Sequence, residues 1–456
     1  MQTPRARTRK IFSLAAPIVA VCGVATAGPA FNITRTDLPD RPNADIAFGL
    51  DIVAVSADEI WATGEWRDEL PVSGTDLGTQ IFRYDGSGWT RIDPPHTAST
   101  CNDRFWFVAR AIDAAGPGQL FAAGEYKKDT CNSSNTLLLE GTGDDWSQTI
   151  TPGQSAFGAS GYLFEDVHVT DDGVVWMGGQ FTHSGDAGRP TATVIRMEGG
   201  NFERFDGPLI LNAAHRVRAI DSSAPDDIWA VGSLGGFSTA VGRSYALHYD
   251  GSGWSEVSPP HVGIGEIIAA VEAIAPDDVW MSGRYQVISP DGLSLITLPL
   301  MWHWDGAGWT RHDSPGFAAD LVHFASDDVY GVSGDTLVRW DGAAWSVAAT
   351  LDPDAFELPA LRGLAITGPG EMIAIGDDGP GVTTGRRSMV VRFSADQPAC
   401  PADLAEPQGV INFFDLAAFL DLYNAGDDAA DLAAPAGVLN FFDLSAYIGL
   451  FNAGCP

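Results

Sequence analysis

APDDIWAVG (Ala224–Gly232), YALHYDGSGW (Tyr245–Trp254) and SEVSPP (Ser255–Pro260) follow one another near the middle of the chain. Short apolar runs alternate there with Asp-Asp and Asp-Gly turns, the pattern of a strand, a connection and a hairpin. Asp-Gly between apolar runs signals a hairpin because the turn needs positive φ, which Gly adopts at no steric cost. Imperfect copies recur at roughly 40 to 60 residues, a period that points to propellers, solenoids or arrays.

The first half of the unit reads DEIWATG at Trp61, GQLFAAG at Phe121, GVVWMGG at Trp176, DDIWAVG at Trp229, DDVWMSG at Trp280, DDVYGVS at Tyr330 and GEMIAIG at Ile373. These seven copies predict an all-β, seven-bladed β-propeller. A Gly follows the aromatic slot in every copy but that of Tyr330, where Ser333 stands. Gly inside a strand marks a bulge or a close backbone approach, here expected between adjacent wedge-shaped sheets. The second half reads DGxxW at Asp85–Trp89, Asp250–Trp254, Asp305–Trp309 and Asp341–Trp345, is lengthened to EGTGDDW in blade two and reduced to EGGNF in blade three. Blade seven lacks it: MVVRF (Met389–Phe393) runs into SADQPAC. FNITRTDLP (Phe31–Pro39) has the chemistry of GWTRIDPP and GWTRHDSP, so it is expected to supply the missing outer strand. Such closure pairs edges that otherwise invite aggregation. Each repeat Trp should then pack between neighbouring sheets.

Residues 1–27 read as a signal peptide. Arg5, Arg7, Arg9 and Lys10 precede an apolar run from Ile11 to Val24, then Ala25-Thr26-Ala27 as a cleavage site. The run is too short to span a membrane, so the mature chain is expected to be secreted, with no membrane span. With 26 basic against 59 acidic residues and a formal charge of −33, the surface repels nucleic acid and anionic lipid. Cys101, Cys131, Cys400 and Cys455 remain after the leader; an even count in an exported chain suggests disulfides. Three connectivities are open, and the architecture favours Cys101 with Cys131 and Cys400 with Cys455.

The propeller is expected over 28–396 and a separate module over 397–456. DLAEPQGVINFFDLAAFLDLYNAG (Asp403–Gly426) returns 28 residues later as DLAAPAGVLNFFDLSAYIGLFNAG (Asp431–Gly454). Each copy is a loop and a helix with apolar residues at helical spacing: Leu416, Phe419, Leu420, Tyr423, and Leu444, Tyr447, Ile448, Phe451. Asn412 and Asn440 are placed to cap the helices, and Gly426 and Gly454 to stop them. This stretch resembles a dockerin, an EF-hand-related module. The resemblance implies calcium bound by Asp403, Asn412, Asp415, Asp431, Asn440 and Asp443, and a cohesin-like or surface partner. Ala405, Pro407, Ala433 and Pro435 replace the middle ligands, and calcium takes six to eight oxygens; the alternative is a metal-free helical pair kept as a docking tag.

Aligned on their last apolar residue (Val55, Ile112, Val169, Ile220, Ile274, Phe324, Ile366), the inner strands carry a charge two or four positions back. These are Asp51, Arg110, Glu165, Arg216 with Arg218, Glu272, Asp320 and Arg362. The expectation is a ring of charge around the central channel, either a structural ion network or an anion or sugar site with Arg110, Arg218 and Arg362 as carboxylate clamps. His168 and His323 fall in a slot that is Ala elsewhere (Ala54, Ala111, Ala219, Ala273, Ala365) and read as substituted core positions, the alternative being a channel-facing His pair. Trp66, Trp106 and Trp302 lie off the repeat register and are candidates for stacking on a ligand. Three inner-strand arginines resemble sialidase-type propellers, although no Tyr–Glu nucleophile pair stands out and DGSGW departs from SxDxGxxW. The repeats are loosely similar to kelch and Asp-box propellers. The expected function is a non-enzymatic binding and scaffolding protein that presents its loop face to an extracellular polymer or protein. The alternative is a carbohydrate-active hydrolase or lyase delivered by the tail.

Overall fold

A computed structural model gives the architecture. It describes residues 30–69, 75–95, 106–127, 134–149, 151, 159–183, 190–206, 215–235, 242–381 and 385–395, and in the tail 402, 404, 412–426, 430, 432 and 439–453. The stretch read as a signal peptide, Cys101, Cys131, Cys400, Cys455, Asp403, Asp431 and Gly454 lie outside these residues.

The strands form seven antiparallel four-stranded sheets. Their inner strands are β2 (Ile46–Ser56), β6 (Phe107–Gly116), β10 (Ala159–Val169), β14 (His215–Ala224), β18 (Ile264–Ala275), β22 (Asp320–Ala325) and β26 (Ala360–Gly368). Each touches the next, and β26 touches β2, which closes the ring. The last sheet takes its outer strand from the start of the chain: β1 (Phe31–Asp37) pairs with β28 (Arg387–Ala395) from Phe31↔Ala395 to Asp37↔Met389.

The aromatic slots hold the blades together. Trp229 and Trp280 are fully buried. Trp229 packs on Trp304 and Trp309 of the following blade, at 5.7 Å each, and Trp280 on Trp340 and Trp345 at 4.9 and 5.2 Å. Trp176 is roofed likewise by Trp254, and Trp61 by Trp146 of the lengthened hairpin of blade two, so each slot Trp lies under the hairpin of its neighbour. In those hairpins the Asp side chain accepts the amides two and three residues on, as Asp250 Oδ1 does from Ser252 and Gly253 at 2.9 and 3.1 Å. Gly251 takes φ 81°, the conformation the Asp-Gly pair predicts.

The Gly after the slot answers to its own blade rather than to the adjacent one. A Cβ on Gly232 would sit 1.9 Å from the Arg216 carbonyl oxygen, opposite a bulge that shifts the register between Val217 and Ala219. Blade six has Ser333 instead, and β22 carries no register shift at that level. Gly232→Ala must push two backbones apart, and about 3 kcal/mol of lost stability is expected, read in a thermal melt; Ser333→Gly should cost under about 1 kcal/mol.

The tail has two helices, α1 (Phe413–Ala425) and α2 (Phe441–Ala453). Asn412 and Asp415 form a reciprocal capping box, and Gly426 ends α1 at φ 73°. Phe419 stacks on Tyr447 at 3.9 Å in the centre of the module. Leu420 and Ile448, expected in that stripe, are instead 38% and 43% exposed, because the small core is filled by the two rings with Leu416, Leu444 and Phe451.

Candidate functional site

A cavity of about 400 Å³ occupies the centre of the ring. Asp51, Arg110, Glu165, Arg218, Glu272, Asp320 and Arg362 all line it. They stand in tiers, not one ring, because bulges offset the strands. Arg110, Glu165, Arg218 and Arg362 each occupy a bulge, where the register slips between Ala109 and Ala111, Phe164 and Asp166, Val217 and Ala219, and Leu361 and Gly363. A bulge inserts one residue and re-aims its side chain. Counting back from the last apolar residue therefore mixes levels. Ladder partners put Asp51, Asp166 and Asp320 one level in, and Asp113, His168, Asp221 and Glu272 one level further.

The bulges lie near the starts of the inner strands, at the end of the ring where connections from the preceding blades arrive. That end is the mouth. Its charged residues come from blades two, three, four and seven, while blades five and six contribute Ala269 and Ala319. One side of the mouth is thus lined by long charged chains and the other by small alanines. Arg110 Nη2 donates to Glu125 Oε1 at 2.7 Å, and Arg362 Nε and Nη2 donate to Asp377 Oδ2 at 3.0 and 2.8 Å. Arg216 does not line the cavity; it donates to Glu165 Oε1 at 2.6 Å and to Gln180 Oε1 at 2.9 Å. Arg218 makes no hydrogen bond or ion pair among the described residues, and its Nε is buried without a partner. Burial drives its pKa below the ordinary arginine value; Glu165 opposes this, and Arg216, Arg284 and Arg110 add to it. A part-buried guanidinium among other arginines, with no partner among the described residues, is an unmet demand for an anion.

Below the mouth the carboxylates brace the ring. Asp51 Oδ1 accepts from Ile52 N at 2.9 Å and Oδ2 from Ile112 N of the next blade at 2.8 Å. Asp113, Asp166, Asp221 and Asp320 reach the next blade in the same way, at Val169, Ile220, Ala273 and Leu364. Asp113, Asp166 and Asp221 were not singled out in the sequence, because aligning on apolar residues hid their repeat. Burial lifts Asp51 to about 7, against its two amide bonds and with help from the Asp113 charge. It lifts Glu272 to about 7 as well, against the His323 bond, and raises Asp166, Asp221 and Asp320.

His168 and His323 are not equivalent. His168 lines the cavity with Nδ1 3.3 Å from Asp113 Oδ2 and 3.5 Å from Asp221 Oδ1, and Nε2 2.6 Å from Ser222 Oγ. His323, on the other face of its strand, lies with Nδ1 2.6 Å from Glu272 Oε1. Ser222, His168 and Asp113 have the connectivity of a nucleophilic triad. However, although burial pulls the imidazole down, the Asp113 bond and the Asp221 charge hold it at about 9. At neutral pH His168 is an imidazolium that donates to Ser222 and has no lone pair to act as a base.

The off-register tryptophans offer no open ring. Trp66 and Trp302 are 7% and 3% exposed; the Arg41 guanidinium covers Trp66 at 3.6 Å, and the Lys127 ammonium covers Trp106 at 3.5 Å. In the tail, Asp415 is buried and accepts Leu404 N and Asn412 N at 2.8 Å each. Asp443 repeats this with Leu432 N and Asn440 N at 3.0 and 2.7 Å. The Asn412 and Asn440 oxygens accept Phe414 N and Phe442 N at 2.8 Å. These four side chains accept backbone amides in capping and loop closure. No group of three or more His, Cys, Asp or Glu among the described residues is placed to hold a metal. Among those residues no helix is long and apolar enough to cross a membrane.

No family model and no curated protein matches the chain. Among solved structures, it is similar to a protein of unknown function from Dyadobacter fermentans DSM 18053, at 8% identity and TM-score 0.49, over 80% of this chain and 99% of that one. A polysaccharide lyase of family PL25, an ulvan lyase, aligns at 10% identity and TM-score 0.47, over 78% and 95%. Trypanosoma rangeli sialidase with the inhibitor DANA aligns at 12% identity and TM-score 0.44, over 79% of this chain and 59% of that one. At these values none of their activities transfers, and the blade count rests on the chain's own sheets.

Proposed function

We propose that this is an exported, non-enzymatic binding propeller that recognises an anionic group of an extracellular polymer or protein at its channel mouth and is tethered through its tail. The observation that carries the reading is Arg218, part-buried among Arg110, Arg216 and Arg284 and unpaired among the described residues, in a chain of net charge −33. So acidic a protein repels anions over most of its surface, and an arginine cluster at one opening localises where one is accepted. Strand direction supports the tether. β28 runs from the mouth end to the opposite end, so the chain leaves for the tail on the face away from the mouth. The tail exposes Phe413, Phe414, Phe441 and Phe442 by 64–73% and carries no basic residue after Arg392. We take the paired phenylalanines as the contact for a cohesin-like or surface partner.

Binding to immobilised polygalacturonate, a sulfated galactan and a neutral glucan tests the mouth. Both acidic polymers should be retained, the neutral one not, and Arg218→Ala should weaken retention at least about tenfold, the order of a lost charge-assisted hydrogen bond. Equal retention of all three, or an unchanged Arg218→Ala, defeats the reading. One observation favours a carbohydrate-active hydrolase or lyase instead: Asp51 and Glu272 are both held at about 7 in the cavity, where a general acid or base works best. Release of reducing or unsaturated ends from the same polymers, lost in Glu272→Gln, would decide for the enzyme.

A further inference from the structure

Blade five carries an arm. Its second and third strands, β19 (Asp278–Ile288) and β20 (Leu295–Trp304), pair out to Ile288↔Leu295. Their neighbours stop short. β18 reaches Gln286 at its furthest, and the outer strand β21 (Trp309–His312) pairs only with Met301–Trp304. Among the described residues, Leu295–Leu298 therefore pair with β19 on one side and with no strand on the other. Pro299 closes this free edge, having no N–H to offer.

The arm is hydrogen-bonded at its tip and exposes aliphatic side chains. At its tip Ser289 N donates to Ser294 O at 2.8 Å and Leu293 N to Asp291 Oδ1 at 3.0 Å, with Gly292 at φ 72°. Ile288, Leu293, Leu295 and Ile296 are 61%, 86%, 49% and 40% exposed. A preformed strand with unpaired backbone groups and aliphatic side chains is a template for another strand. The β19–β20 connection lies at the mouth end of the ring, on the side lined by Ala269 and Ala319.

We propose that Leu295–Leu298 is a docking edge for an extended segment of a different polypeptide, added as a further strand to blade five. The unpaired backbone edge selects a strand, rather than a helix or a glycan, as occupant. The net charge of −33 sets two copies of this chain against each other and favours a segment flanked by basic residues. Pairing would leave the guanidinium site at the mouth untouched.

The probe is a synthetic peptide of alternating Val and Thr with Lys at both ends, followed by fluorescence anisotropy and amide hydrogen exchange on the full chain. Binding that slows exchange at 295–298, and weakens at least tenfold in Ile296→Asp, supports the proposal. Ile296 is exposed, so that variant should keep the wild-type melt; Leu295→Asp serves as a second variant should it not. No binding, equal binding to Ile296→Asp, or equal binding of a version with Pro at alternate positions overturns it. A wild-type dimer in light scattering that Ile296→Asp dissociates also overturns it, because the occupant is then a second copy. None of these outcomes bears on Arg218, whose polymer binding is read separately.

Discussion

A chain lacking Phe31–Asp37 should be recovered as aggregate, or melt at least about 10 °C below the full-length protein, since β1 is the closure of the ring and not an appendage. Seven rungs join it to β28. Phe31 meets Tyr330 and Phe393 edge-on at 6.0 and 6.3 Å, so it seals blade six against blade seven as well. Arg35 Nη1 donates to Asp378 Oδ2 at 2.6 Å, and the Asp378 side chain is 3% exposed. Without β1 that carboxylate loses its cation, and β28 becomes a bare edge rich in Met, Val and Phe. Phe31→Ala separates packing from pairing: it keeps the rungs and should cost about 2 kcal/mol, below the usual range for a fully buried Phe because Phe31 is only partly covered. A peptide of residues 30–39 added in trans should restore part of the melt of the deletion. A monomeric deletion that melts like the full chain would mean the ring does not depend on closure.

The deletion was foreseeable from the sequence, and the tiers of the channel were not. DGxxW and the slot aromatics repeat in type and order, and their period needs only alternation and turn chemistry to be read. The missing hairpin after Met389–Phe393, set beside the orphan Phe31–Pro39, pointed to closure for the same reason. Bulges break this legibility. A single inserted residue at Arg110, Glu165, Arg218 and Arg362 shifts which positions share a face, so an alignment on apolar residues gathered seven charges that line the cavity, missed Asp113, Asp166 and Asp221, and placed those seven at one height. The Gly after the slot was the available signal: Gly232 is small because the bulge at Arg218 brings Arg216 O against it, and blade six lacks both. His168 was misjudged because its partners, Asp113 and Asp221, sit on neighbouring blades, and no local pattern announces a contact made across the ring.

Stability should be highest near pH 5 and fall on the alkaline side, by about 10 °C in melting temperature between pH 5 and 9. Asp51 and Glu272 have folded pKa values of about 7, above their ordinary 3.8 and 4.5. The folded state favours their neutral forms, so their contribution is present below about pH 4 and is lost as pH rises through 7. His168, raised from 6.5 to about 9, works in the same direction: its contribution is complete below 6.5 and lost as pH rises through 9. That single group is worth on the order of 3 kcal/mol. The hairpin carboxylates lie below their usual value, Asp85 and Asp250 through the Ser87 and Ser252 hydroxyls and then the turn amides, Asp305 and Asp341 through the amides; they oppose only in strong acid, where their contribution is lost as pH falls. Two variants divide the slope. Glu272→Gln keeps an oxygen for His323 Nδ1 and should flatten the fall between pH 5 and 7. His168→Gln should be less stable than wild type at pH 6 and converge with it above pH 9. A melting temperature that is level from pH 5 to 9, or that rises, would show that the inner acids are ionised without penalty and that the channel is open to water along its length.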